Sequence, residues 1–301
     1  MLRNQVQKES LFLIDQPAQH EIVLNLNDIA MTLTIGGDMP VHRLGFGAMR
    51  LTGGPDRSTG IEIARRAVEL GVTLIDTADS YDLGDNETLL AEALHPYPED
   101  LVIATKGGQV NLGRAWIPLG RPEYLRQQAE LSLRRLRVDW IDLYQLHRID
   151  PAVPLADQLG ALRILMEEGK VRHIGLSEVS VGQLDEAAAI APIASVQNRY
   201  SVADRASEDV LDYCERHGIA FIPWLPVART TTQADDPLAT VAARHGRTRT
   251  QVALSWLLHR SAVIVPIPGT STRAHLEENV AAAQLSLSVD DMELLSTIAP
   301  G

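Results

Sequence analysis

Eight short apolar runs, each separated from the next by a helix-like segment, constrain this 301-residue chain more than any other feature. The runs lie near residues 44–49, 73–78, 101–106, 141–146, 171–176, 195–200, 219–225 and 263–267. Helical spacing predicts 59–70, 86–94, 122–136, 154–168, 180–190, 206–217, a longer pair within 237–260, then 272–283 and a short last helix at 288–298. Glycines punctuate several helix ends, as in Glu69-Leu70-Gly71, Glu168-Gly169 and His217-Gly218. Ser288-Val289-Asp290-Asp291 resembles a capping box with Asp in place of Glu. Strands alternating with helices imply a parallel sheet. Eight units without a Gly-rich fingerprint after the first strand favour an α/β chain closed into a (β/α)8 TIM barrel over a doubly wound sheet. Ahead of it, residues 32–35, a Gly36-Gly37-Asp38 turn and residues 41–44 read as an N-terminal β-hairpin plug. Residues 1–30 do not fit the pattern and are expected to be an extension preceding one barrel domain over 31–301.

The formal net charge of −12 argues against a duplex nucleic-acid partner, which is met by a basic face. Cys214 is the single cysteine, so no disulfide framework holds the fold, as in a reducing compartment. No run reaches the ~18 apolar residues of a membrane span. Leu11–Ile14 falls short of a signal peptide's ~7–15-residue apolar stretch. The expectation is a cytoplasmic protein without a membrane partner, a monomer or weak homo-oligomer. Only three of the 27 basic residues are lysines, Lys8, Lys106 and Lys170, which singles out Lys106 inside an apolar run.

A barrel keeps its chemistry at the C-terminal ends of its strands. The second run ends in Asp76 and leads through Thr77-Ala78-Asp79-Ser80 to Tyr81; the third ends in Lys106; the fourth ends in His147-Arg148. Taken singly, each has a structural alternative: a cap for Asp76, a solvated loop phenol for Tyr81, an ordinary hydrogen bond for His147. Together they suit proton delivery to a carbonyl oxygen. A phenol with a pKa near ~10 is a poor acid at neutral pH. An adjacent ammonium favours the phenolate, and a carboxylate holds the ammonium in place. His147 would orient the carbonyl. No side chain supplies a hydride, so a reduction would need a cofactor. Gly269-Thr270-Ser271-Thr272-Arg273, entering a helix after the eighth run, is either an anion-binding arrangement or an ordinary capped turn. A single Cys and the lack of HExxH argue against zinc.

These stretches resemble the aldo-keto reductase superfamily over residues 31–298: "LGFGAM" at 44–49, "LIDTADSY" at 74–81, "IATKGG" at 103–108, "DLYQLHR" at 142–148, "GKVRHIGLSE" at 169–178, "VQNRYS" at 196–201 and "VPIPGTSTRAHLEENVAA" at 265–282. The resemblance implies an NADPH-dependent reductase, with NADH as the alternative, turning a small-molecule aldehyde or ketone into an alcohol. It implies Asp76, Tyr81, Lys106 and His147 as the catalytic set, with Tyr81 as the acid. It further implies cofactor contacts from Gly47, Ala48, Met49, Ser177, Gln197, Trp224 and Leu225, with Gly269, Thr270, Ser271 and Arg273 on the 2′-phosphate and Glu278 and Asn279 at the adenine. Met49 and Trp116 would wall the substrate pocket, and no metal is implied. "LHPYPEDLVIATK" and "IPGTSTRAHLEENVAAAQLSLS" resemble bacterial members related to pyridoxal reductase (pyridoxine 4-dehydrogenase). The chain departs from the family pattern at Glu178, where Asn is usual, at Leu225, where Ser is usual, and at His275, where many members have Arg. Two other readings remain at this stage: a cofactor-binding regulatory subunit like the potassium-channel β subunits, and a phosphate-binding barrel isomerase or lyase.

Overall fold

The structure, a computed structural model, describes residues 31–52, 56–113, 115–227 and 236–298; the expected extension over 1–30 lies outside them. β1 (Thr32–Ile35) and β2 (Met39–His42) pair antiparallel, with Thr32 opposite His42. Ile35, Met39 and Val41 are buried, while the alternate residues of β2 face out, as period-2 geometry requires. The three apolar side chains join Leu74, Val102, Ala104, Leu143, Ile222 and Val265 in one cluster. That cluster is the filling of the barrel, and the hairpin is its plug.

Seven parallel strands form one sheet: β3 (Phe46–Gly47), β4 (Leu74–Asp76), β5 (Val102–Gly107), β8 (Ile141–Leu146), β9 (Val171–Ser177), β10 (Ile193–Gln197) and β11 (Ala220–Phe221), hydrogen-bonded in that order. A small hairpin, β6 (Gln109–Asn111) with β7 (Trp116–Pro118), rises from the end of β5. The eighth run closes the ring without forming a regular strand. On one side, Phe221 N donates to Val263 O (2.9 Å) and Val265 N to Phe221 O (2.8 Å). On the other, Gly45 N donates to Pro266 O (3.0 Å) and Gly47 N to Pro268 O (3.4 Å). Pro266 and Pro268 have no N–H to return, so the ladder on that edge runs one way. Arg43 reinforces the closure. It is buried, and its guanidinium donates to Ile264 O (3.2 Å), Leu258 O (2.9 Å) and Ser261 O, the last two at a helix C-terminus that favours a cation.

The helices wrap this ring: α1 (Arg57–Glu69), α2 (Asp85–Leu94), α3 (Pro122–Leu136), α4 (Leu155–Glu167), α5 (Val181–Ala188), α6 (Glu208–His217), α7 (Pro237–His245), α8 (Arg249–Arg260), α9 (Arg273–Ala281) and α10 (Val289–Ser296). The expected pair within 237–260 separates at Gly246, whose φ of +59° is left-handed. Thr248 and Gln251 then form a reciprocal capping box that starts α8. The same device starts α10, with Asp291 answering Ser288 as the sequence predicts. The strand expected over 219–225 is cut to two residues, because Pro223 and Pro226 interrupt the ladder beyond Phe221. Cys214 lies on the buried face of α6, where desolvation pushes its thiol up to about 12 and removes it from thiolate chemistry.

Candidate active site

The C-terminal ends of the strands open into a cavity of about 730 Å³, lined by residues from β3 through the closing segment and by α9. Behind its inner end lies the Lys106 ammonium, entirely buried at the end of β5. All three N–H groups find acceptors: Asp76 Oδ2 at 2.6 Å, Thr77 O at 2.8 Å and Tyr81 Oη at 3.2 Å. Burial pulls this ammonium down, but Asp76 and Tyr81 outweigh it and hold it above its ordinary range, hence charged. Asp76 is fixed in turn by Gln145 Nε2 (3.1 Å) and Gln197 Nε2 (2.8 Å), both donating to Oδ1.

Tyr81 opens a 3₁₀ turn after β4, and its N–H bonds back to Ala78 O (3.2 Å). Burial raises the phenol, Lys106 works against that, and the net direction is up, so it is protonated at neutral pH. This differs from the tuning expected of a nearby lysine: the ammonium only moderates a larger desolvation penalty. His147 follows β8 with its ring edge-on to Tyr81, centroids 5.8 Å apart. Burial, Lys106 and Arg148 all depress its imidazole well below the usual histidine range, so it is neutral. Ser80 Oγ lies 3.3 Å from its Nδ1. Trp116, presented by β7, stands edge-on to both rings at 6.3 Å.

The sequence-selected residues fall into two groups. Gly47, Met49, Asp76, Tyr81, Trp116, His147, Ser177, Gln197, Trp224, Leu225, Gly269, Thr270, Glu278 and Asn279 line the cavity. Lys106 stands behind the lining. Ala48 is buried, with its carbonyl accepting from Asn86. Ser271 and Arg273 do not line the cavity: Arg273 is exposed on α9 and pairs with Glu277 one turn on, at 3.0 Å. The glycines at 47 and 269 are there for space. A Cβ on Gly269 would sit 2.6 Å from Gly47 O, and one on Gly47 would sit 2.7 Å from Ile267 O.

Sequence reasoning missed Gln145, which lies on the same face of the chain as His147, two residues on, and that period was the available signal. It also assigned nothing to Arg148. Glu178, the departure from Asn, does not line the cavity. With φ +56° it accepts from Trp224 Nε1 (2.5 Å) and Arg199 N (2.8 Å), so its carboxylate anchors the indole that does. Among the described residues, no group of three or more His, Cys, Asp or Glu is placed to hold a metal ion, and no helix is long and apolar enough to cross a membrane.

The model of the aldo/keto reductase family matches residues 43–299. The chain belongs to the aldo/keto reductase family. Among its relatives in this family, an uncharacterized oxidoreductase of Schizosaccharomyces pombe is 50% identical over 260 residues, covering 84% of this chain and 85% of that one. The pyridoxine 4-dehydrogenase of Escherichia coli is 41% identical over 280 residues, 89% and 96% of the two chains. In structure, the chain is similar to a thermostable aldo-keto reductase bound to the inhibitor epalrestat, with TM-score 0.81, 30% identity and 89% and 99% coverage. It is also similar to an aldo-keto reductase of Klebsiella pneumoniae in complex with NADPH, with TM-score 0.79, 25% identity and 89% and 95% coverage. The resemblance drawn from the motifs is thereby borne out at family level, as is the barrel.

Proposed function

We propose that this aldo/keto reductase is a cytoplasmic enzyme reducing a small aldehyde or ketone to an alcohol with NADPH, or with NADH as the alternative. The observation that carries the reading is the Asp76–Lys106–Tyr81 cluster at the inner end of the cavity, with Asp76 and Tyr81 in the lining and Lys106 behind them. A nicotinamide cofactor, when bound, supplies the hydride. The residues fit such a group: Trp224 offers a flat wall, Ser177 and the oxygen of Gln197 offer polar atoms for a carboxamide, and the Gly47–Gly269 approach leaves backbone open to a pyrophosphate. Thr270, His275 and the first turn of α9 would face a 2′-phosphate, with Glu278 and Asn279 towards the adenine. Arg273 reaches that phosphate by releasing Glu277, an exposed pair of the kind that is held weakly.

Tyr81 Oη donates its proton to the carbonyl oxygen as charge develops there. Lys106 stabilises the phenolate left behind, and Asp76 keeps the buried ammonium in place. Neutral His147 binds the same oxygen. A hydroxyl of Ser80 donating to Nδ1 leaves the ring proton on Nε2, free to donate. The E. coli relative's name points to pyridoxal-like aldehydes as substrates to be tried first. A screen of cofactor oxidation over pyridoxal, aliphatic and aromatic aldehydes and simple ketones tests the reading. Turnover of at least one carbonyl class supports it. Cofactor binding without turnover would favour a regulatory subunit, and failure to bind either cofactor would overturn the reading altogether.

A further inference from the structure

Arg148 is a half-buried cation in the cavity wall, and no Asp or Glu among the described residues lies within ion-pairing distance of it. Its Nη1 donates to His147 O (2.6 Å) and to Ser177 Oγ (3.0 Å). Among the described residues, Nε and Nη2 donate to nothing, although a guanidinium carries five N–H groups in a fork shaped for an oxyanion. The acid that acts on it through space is Glu178, whose carboxylate makes no ion pair with it and is hydrogen-bonded instead by Trp224 Nε1 and Arg199 N. The groups around the phenol bring it no net charge. Lys106 is balanced by Asp76, His147 is neutral and Tyr81 is protonated. A chain with a net charge of −12 therefore keeps, in the wall beside the phenol, a cation with no ion-pair partner among the described residues, and Arg50 adds a second cation to the same cavity lining. Desolvating a charge without a partner is costly, and a ligand that brings the partner recovers the cost.

We propose that Arg148 is a specificity-determining residue that selects carbonyl substrates carrying an oxyanion, such as a carboxylate, a phosphate or an ionised ring hydroxyl, close to the reacting carbonyl. The proposal rests on the reductase reading, because it takes the carbonyl to lie at Tyr81 and His147. A neutral substrate leaves the guanidinium half-dry and unpaired; an acidic one completes its fork.

Two measurements test it. The first compares kcat/KM for 3- and 4-carboxybenzaldehyde with that for benzaldehyde in the wild type, Arg148→Met and Arg148→Lys. Because Arg148 also lowers the Tyr81 phenol, its loss touches every substrate, and the ratio between substrates is the informative quantity. The wild type should prefer at least one of the acidic aldehydes by ten-fold or more. Arg148→Met should erase that preference, and Arg148→Lys should keep part of it through charge without the fork. The second measurement needs no turnover: benzoate and benzamide are titrated against the tryptophan fluorescence of Trp116 and Trp224. Tighter binding of benzoate that disappears in Arg148→Met supports the proposal even if no aldehyde in the set is reduced, an outcome that would count against the reductase reading alone. A benzoate preference that survives Arg148→Met would overturn it. So would a variant that loses NADPH affinity while keeping the wild-type substrate ratio, because the guanidinium would then serve the cofactor.

Discussion

The two ends of the cavity are built on opposite terms. At the inner end Lys106, Asp76, Gln145 and Gln197 are buried and hold one another through hydrogen bonds of 2.6–3.1 Å, with every ammonium proton used. At the outer end Arg273 is exposed, paired only with a neighbour on its own helix, and turned from the cavity that its position in the sequence suggests it serves. The inner end must be assembled before substrate arrives, because an ammonium cannot be moved into a dry site during a reaction without losing its solvation. The outer end, on the proposed reading, would grip a solvated phosphate and can complete itself on binding. Preorganisation is spent where charge develops, and flexibility is left where the ligand brings its own charge.

Substitutions at the two ends should therefore differ in kind. The largest effect belongs to Lys106→Met. Removing one partner of a buried ion pair strands Asp76 and is expected to cost about 3–5 kcal/mol of stability. The same change should lower kcat by roughly 10²–10⁴. Thermal unfolding and steady-state turnover check the two parts separately; a variant as stable as the wild type would mean that the inner end is not held together by this pair.

Behind the same end, Asp79 is buried and faces Glu87, with Arg135 and contacts from Ser80 opposing. Desolvation and Glu87 raise it to about 7. The folded protein thus keeps this proton up to about pH 7, whereas the unfolded chain loses it near the ordinary carboxyl value of 3.8. Its contribution to stability falls as pH rises between those values, by on the order of 4 kcal/mol in all. Asp79→Asn should gain melting temperature relative to the wild type as pH rises from 5 to 8. Parallel melting curves across that range would refute the assignment.

The outer end predicts smaller changes. Arg273→Ala should weaken NADPH binding by about ten-fold, the equivalent of roughly 1.4 kcal/mol, and leave NADH binding nearly as it was. Equal losses for both cofactors would remove Arg273 from the phosphate site. Glu277→Gln, which releases Arg273 from its pair, should move NADPH affinity the other way by no more than a few-fold, measured in the same titration.

The same contrast governs what was legible in the sequence. Asp76, Lys106 and His147 stand at the ends of apolar runs, so the barrel rule alone places them together, and Tyr81 follows on the loop after the first of them. The helices were legible through their period and caps, down to Ser288 and Asp291. Less was legible where a contact depends on a side chain's direction rather than its position. Glu178 looks like a defect in the carboxamide contact, yet its left-handed backbone carries the carboxylate out to Trp224. Arg273 looks like a phosphate ligand, yet an acid one helical turn away holds it aside. The eighth run is apolar in pattern, but its two prolines let it only accept hydrogen bonds on the edge that meets Gly45 and Gly47.

On the proposed mechanism Tyr81 is the proton donor, and cofactor binding does not depend on its hydroxyl. Tyr81→Phe removes one oxygen and keeps the ring against Trp116 and His147. Single-turnover oxidation of bound NADPH by a carbonyl the wild type reduces, measured alongside the NADPH dissociation constant, tests both halves at once. The expected result is a rate lowered by roughly 10²–10⁴ with the dissociation constant within about two-fold of the wild type. Reduction at the wild-type rate in Tyr81→Phe would contradict it.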